Sequence, residues 1–125
     1  MQMLLAIAVG GAAGALSRHF VAGAIMRAVG IGFPYGTFAV NILGSLIMGF
    51  LVTAFAHSLS VSQEMRGLLA VGFLGSFTTF STYSLEIVRL IERSEWMLAS
   101  LYAFGSLALG VAGLFAGIRL GRILL

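Results

Sequence analysis

Four long stretches, almost free of charge, constrain this chain more than anything else in it. They run over residues 3–26, 36–56, 67–91 and 96–118. A helix needs about 20 predominantly apolar residues to cross the hydrocarbon core of a bilayer, and each stretch supplies that length. The connections are short. Arg27 to Tyr35 holds the single proline, Pro34; His57 to Arg66 is polar; Glu92 to Glu95 is a tight turn. None of them can hold a soluble domain, so any activity is expected within the bilayer. The first stretch reads as a span and not as a cleaved leader, because it lacks a basic start and its apolar run continues through Gly10 and Gly14. Composition agrees: 60% of residues are hydrophobic and 9% charged, where a soluble domain carries about 25% charged residues. The expected fold is an all-α integral membrane domain over residues 1–125 with four transmembrane helices.

Composition also excludes several kinds of chemistry. There is no cysteine, hence no disulfide and no thiolate metal site. All side-chain charge is carried by seven Arg and four Glu, with neither Lys nor Asp. No cluster of basic residues exists to track phosphates, so the +3 charge does not point to nucleic acid. His19 and His57 are isolated from each other and are expected near the interface. Arginines in short loops set the orientation of a membrane protein. Here Arg66, Arg119 and Arg122 fall on one side, Arg27, Arg89 and Arg93 on the other, and Arg18 lies within the first span. Such a chain has no preferred orientation, which points to dual topology, with copies inserted both ways and paired antiparallel. The simpler alternative is that one charge dominates and every copy inserts the same way. Four spans also make a small bundle, and an enclosed pore is better built from two copies.

Polar residues inside the spans are patterned. The third stretch contains GFLGSFTTFSTYSLE (72–86), in which every residue from Ser76 to Ser84 except Phe77 and Phe80 carries a hydroxyl. In the second, Thr37, Asn41 and Ser45 recur at i, i+4 and i+8 and share one helix face. The fourth places Tyr102 and Ser106 one turn apart, and the aromatics Phe77, Phe80 and Tyr83 recur every third residue. A buried amide or hydroxyl without a partner costs on the order of 1–3 kcal/mol, and lipid offers no partner. The stripes must therefore face each other or water. A Ser or Thr can bond back to its own helix, whereas the Asn41 amide has too many donors and acceptors for that. Hydroxyl and amide donors beside ring edges of partial positive charge, with no carboxylate along the central stretch, suit an anion. Neutral donors also release an ion more easily than a deep Arg would.

Other features have two readings. Gly72 and Gly75, followed by Thr and Ser, suggest a helix break that frees backbone carbonyls, which is tolerated only inside protein or beside a cavity; the alternative is an unbroken helix with a close glycine contact. Gly10 and Gly14, and Gly113, Gly117 and Gly121, have the small-xxx-small spacing of helix packing surfaces. Arg18 either draws anions into a vestibule or snorkels to the interface. Glu86 and Arg89 are spaced as an i, i+3 ion pair.

The segments GALSR (14–18), PYGTFAVNILGS (34–45) and GFLGSFTTFSTYSLE (72–86) resemble the Fluc/CrcB fluoride channels, and the resemblance extends to chain length and the four-span layout. It implies a dual-topology antiparallel homodimer with a broken third helix and two pores. These would pass fluoride passively out of the cell across the inner membrane and lower its cytoplasmic concentration. It implies pore-lining roles for Asn41, Phe80, Tyr83, Tyr102 and Ser106, with Thr37 along the polar track, and a vestibule or structural role for Arg18 and Glu86. It implies a structural Na⁺ on the two-fold axis, held by the backbone carbonyls of Gly75 and Thr78 from each copy. Two positions depart from the family pattern. The second ring of its phenylalanine pair is Tyr83, whose hydroxyl adds a donor or points elsewhere, and its Gly-Gly before the break reads Gly75-Ser76.

Three competing readings are weaker. A small dual-topology exporter of cationic compounds would want a carboxylate deep in the first span, which holds Arg18 and no acid. An intramembrane hydrolase would need a nucleophile with a His base, or paired Asp. A purely structural subunit would not need so many polar residues in its spans. No enzymatic activity is expected.

Overall fold

The computed structural model describes residues 1–58 and 60–125, and among them it contains helices and connections but no strand. In chain order these are α1 (Gln2–Val29), α2 (Tyr35–His57), α3 (Gln63–Arg66), a π-helical segment (Gly67–Leu74), α4 (Gly75–Phe77), α5 (Phe80–Glu92) and α6 (Trp96–Leu124). Four stretches are long and apolar enough to cross a membrane: Gln2–Val29, Tyr35–His57, Gln63–Glu92 and Trp96–Leu124. Each contains the expected span and runs past it. Helical hydrogen bonding does not stop where hydropathy does, and arginine is a good helix former. Arg27 and Arg122 sit in the last turns of α1 and α6, where a cation complements the helix dipole. A helix of 28 residues is about 42 Å long at the usual rise, so its ends emerge into the headgroup region.

The turns have specific local causes. Gly30, with φ +112°, ends α1 in a backbone conformation that L side chains rarely adopt, and its N–H closes on Met26 O at 2.9 Å. Between α5 and α6, Ser94 takes the left-handed region at φ 59°, and the turn closes through Ser94 N–H to Ile91 O and Glu95 N–H to Leu90 O, each 2.9 Å. Arg66 secures the far end of α2. Its Nη2 donates to Phe55 O and Ser58 O at 3.0 Å each, and its guanidinium lies 5.2 Å from the Phe55 ring centre. Carbonyls left open at a helix C-terminus are thereby satisfied.

Packing follows the glycines. α2 lies along α6, and α1 lies along the π-helical segment. A Cβ at Gly14 would overlap Phe73 O, and one at Gly10 would overlap Leu68 O. Across the α2–α6 seam, Gly117 meets Leu46 O and Gly49 meets Leu114 O in the same way. The small-residue spacings are therefore packing surfaces, as lipid-embedded helices need for close approach. One buried cluster joins Val40, Leu74 and Phe77; a second joins Leu90, Ala99 and Tyr102.

The third span changes character in its middle. α4 ends at Phe77, Thr78 (φ −89°, ψ 157°) and Thr79 (φ −153°, ψ 122°) are extended, and α5 starts at Phe80. The Thr79 hydroxyl accepts from Thr82 N–H at 3.3 Å and caps the new helix.

Candidate functional site

Beside the two extended residues, α2, α5 and α6 border an open cavity of about 520 Å³, whose lining includes Asn41, Ser45, Thr78, Thr79, Phe80, Tyr83 and Ser106. Four of the six residues expected to line a pore, namely Asn41, Phe80, Tyr83 and Ser106, meet here. No carboxylate and no arginine belongs to this lining. Two rings of the lining, Phe80 and Tyr83, lie 5.7 Å apart; Tyr102 does not belong to the lining and is fully buried behind Tyr83, with ring centres 5.2 Å apart. Among the described residues, the buried Tyr102 hydroxyl and Ser106 Oγ have no hydrogen-bond partner. Ser106 thus keeps its hydrogen-bonding capacity unspent within the cavity lining, while the Tyr102 hydroxyl lies toward Thr37 and Glu86.

Asn41 is engaged at two points. Its Oδ1 accepts from Thr79 N–H at 2.8 Å, and its Nδ2 donates to Thr79 O at 3.2 Å. Ser45 bonds back to Asn41 O at 2.8 Å, the local alternative open to any helical serine. The Tyr83 hydroxyl donates to Ala103 O on α6 at 2.5 Å, so its one proton is already engaged. Phe80 is 78% exposed, and Gly75 and Ser81 are exposed with it.

Thr37 and Glu86 lie apart from this group. They line a second cavity of about 710 Å³ with Met26, Pro34, Arg89 and Arg93, and the Thr37 hydroxyl donates to Glu86 Oε1 at 2.6 Å. The i, i+3 spacing of Glu86 and Arg89 gives a coulombic attraction, while the hydrogen bond of the Glu86 carboxylate goes to Thr37 on α2, and among the described residues no hydrogen bond joins it to Arg89. Packing of α5 on α2 brings the buried Thr37 hydroxyl within reach, while Arg89 is exposed. Arg18 is half-buried on α1 and belongs to neither cavity lining. His19 is exposed, against the edge of Phe20.

Two residues escaped the sequence reading as individuals. Thr79 was one hydroxyl among many, yet its peptide group is what Asn41 holds. Gly44 carried no signal, yet the Thr78 methyl occupies the space a Cβ there would take. The i, i+8 spacing of Gly36 and Gly44 on α2 could have suggested a surface that admits a neighbour.

A cation has a chemically suitable place. Among the described residues, no group of three or more His, Cys, Asp or Glu comes together, so a cation here would depend on neutral oxygens, those of the backbone among them. In a continuous helix Gly75 O would take Thr79 N–H and Thr78 O would take Thr82 N–H. Both donors are spent elsewhere, on Asn41 Oδ1 and Thr79 Oγ1. Carbonyls deprived of their helical donors are the ligand type that hard cations prefer.

The model of a family described as CrcB-like protein, Camphor Resistance (CrcB), matches residues 5–118. A fluoride-specific ion channel FluC of Phenylobacterium zucineum is 52% identical over 123 residues, 98% of this chain and 97% of that one. Proteins of the same name from Chelativorans sp., 47% identical over 100% of both chains, and from Geobacter sulfurreducens, 44% identical over 98% of both, are also similar. A family match over residues 5–118 and identity at this level over nearly the whole length leave one assignment: the chain belongs to the CrcB family.

Proposed function

We propose that this chain is the subunit of a passive fluoride channel, two copies of which pair antiparallel in the cell's inner membrane. The observation that carries this reading is the 520 Å³ cavity, where Asn41, Ser106 and the rings of Phe80 and Tyr83 converge without a carboxylate. Fluoride is small and strongly hydrated. A path for it must replace water by several donors in close succession, and ring edges can contribute to that set. The unspent hydroxyl of Ser106 and the second N–H of the Asn41 amide, both in the cavity lining, are donors of that kind. The relatives named as fluoride-specific channels support the choice of ion. No acid lies in α1 to exchange protons against a cationic substrate, so the exporter reading has no support.

Pairing is supported by what one copy leaves uncovered. Gly75, Phe80 and Ser81 are exposed beside the interruption of the third span, and lipid cannot satisfy a hydroxyl or a freed carbonyl there. A second copy across this face would cover them, and the balance of Arg66, Arg119 and Arg122 against Arg27, Arg89 and Arg93 lets that copy insert the other way. In this arrangement the interruption at Thr78–Thr79 acts as the broken helix of the channel, and the carbonyls of Gly75 and Thr78 from both copies would hold Na⁺. The ion would supply a fixed positive charge between the two halves. Phe80 and Tyr83 border the anion path, and Thr37 and Glu86 form a tethered pair at one end of it.

The test is fluoride efflux from liposomes containing the purified protein. Release driven by gradient and potential, with little chloride release under the same conditions, is the expected result. Sealed vesicles, or flux that needs a proton gradient, would refute the reading.

A further inference from the structure

We infer that Asn41 is a positioning residue, whose side-chain amide holds the third span open at Thr78–Thr79 and keeps the Gly75 carbonyl from its helical partner. The orientation of the amide is fixed by what it meets: a peptide N–H must face Oδ1 and a peptide carbonyl must face Nδ2. Asn41 binds both sides of Thr79, so it imitates the neighbouring strand that an extended peptide would otherwise seek. α2 is a rigid mount for this clamp, since the buried residues Val40 and Gly44 flank Asn41 on it. The clamp reaches 38 positions along the chain, so nothing local to the third span replaces it.

Its removal has a defined consequence. Thr79 N–H lies four residues after Gly75 O, the helical donor–acceptor spacing. A backbone N–H deprived of its partner away from water must find another, and the acceptor in its helical register is Gly75 O. Closing that bond draws Thr78 and Thr79 toward helical dihedrals and occupies the carbonyl assigned above to the cation. Asn41 therefore serves the channel twice. One N–H and one oxygen shape the backbone, and the remaining N–H is left for the cavity. Only the consequence for the cation rests on the fluoride-channel reading; the clamp itself does not.

The experiment is NMR of the full chain in detergent micelles with ¹³C,¹⁵N-threonine, reading the secondary chemical shifts of Thr78 and Thr79. Wild type should give extended values at both. Asn41→Leu, near in volume but unable to make either bond, should move both toward helical values, and Asn41→Ala should do the same if Leu disturbs folding. Asn41→Asp, which keeps an oxygen for Thr79 N–H, should stay extended. Extended shifts in whichever of the Leu and Ala variants folds, or helical shifts in the Asp variant, would overturn the assignment. In parallel, thermal stability is titrated with NaCl against N-methylglucamine chloride. The Leu variant should need at least tenfold more Na⁺ than wild type for half-maximal stabilisation. A uniform loss of stability with an unmoved midpoint would mean that Asn41 is only structural. Absence of any Na⁺ effect in wild type would refute the cation assignment while the shifts still decide the clamp.

Discussion

At the scale of single residues, Tyr83 shows how a departure from the family pattern is absorbed. A tyrosine where the resemblance implies phenylalanine could have added a donor to the anion path. Its hydroxyl instead bonds Ala103 O, while the ring keeps its contacts with Phe80 and Tyr102. Tyr83→Phe should therefore leave fluoride efflux within about twofold, while stability in detergent falls by about 1 kcal/mol, the usual net value of such a bond. Phe80 differs, because its exposed ring borders the cavity and makes no bond of its own. Phe80→Leu should abolish efflux while the two-copy species persists in size-exclusion chromatography; unchanged efflux would remove Phe80 from the path. That Asn41 needs partners was legible from its chemistry, since no helix can satisfy a whole amide. That the partner is the Thr79 peptide group was not, because Thr79 resembles its hydroxyl neighbours until the backbone opens.

At the scale of elements, the spans were legible and their pitch was not. Hydropathy marks a span because lipid leaves the backbone no choice but to bond within its own segment. It does not reveal that Gly67–Leu74 is wound as a π-helix, a feature often found at functional positions. Glycine spacing did point to the contact that holds this segment, and Gly10 and Gly14 are where α1 admits Leu68 O and Phe73 O. Gly14→Ala should cost about 1–3 kcal/mol, the usual penalty of overpacking, since the obstructing atoms are backbone and cannot rotate away. Gly32→Ala, in open space, should change stability by less than about 0.5 kcal/mol. Thermal unfolding in detergent compares the two, and equal effects would mean that α1 does not support the π-helical segment.

At the scale of the whole molecule, the antiparallel pair proposed above rests on a balance of arginines that a few substitutions would tip. Gln2 and Met65 are exposed and share a side by span count. A Gln2→Arg, Met65→Arg double variant should insert predominantly one way, and its efflux should fall at least tenfold. Co-expression with a variant biased the other way, such as Ile31→Arg, should restore efflux. Because the chain lacks cysteine, a single introduced cysteine labelled from either face of the membrane reports the orientation directly. Wild type labelled from one face alone would remove the antiparallel pair.

The number of spans and the all-helical class were legible in the sequence alone, because hydropathy is a property each segment carries with it. Which donors meet which acceptors was decided by tertiary structure. Thr37 finds Glu86 across 49 positions and Asn41 finds Thr79 across 38, while the nearer Glu86–Arg89 spacing did not decide the carboxylate's partner. The reason is geometric: a partner on another helix depends on the rotation and depth at which two helices lock. Here those are set by backbone meeting backbone at Gly10, Gly14, Gly49 and Gly117.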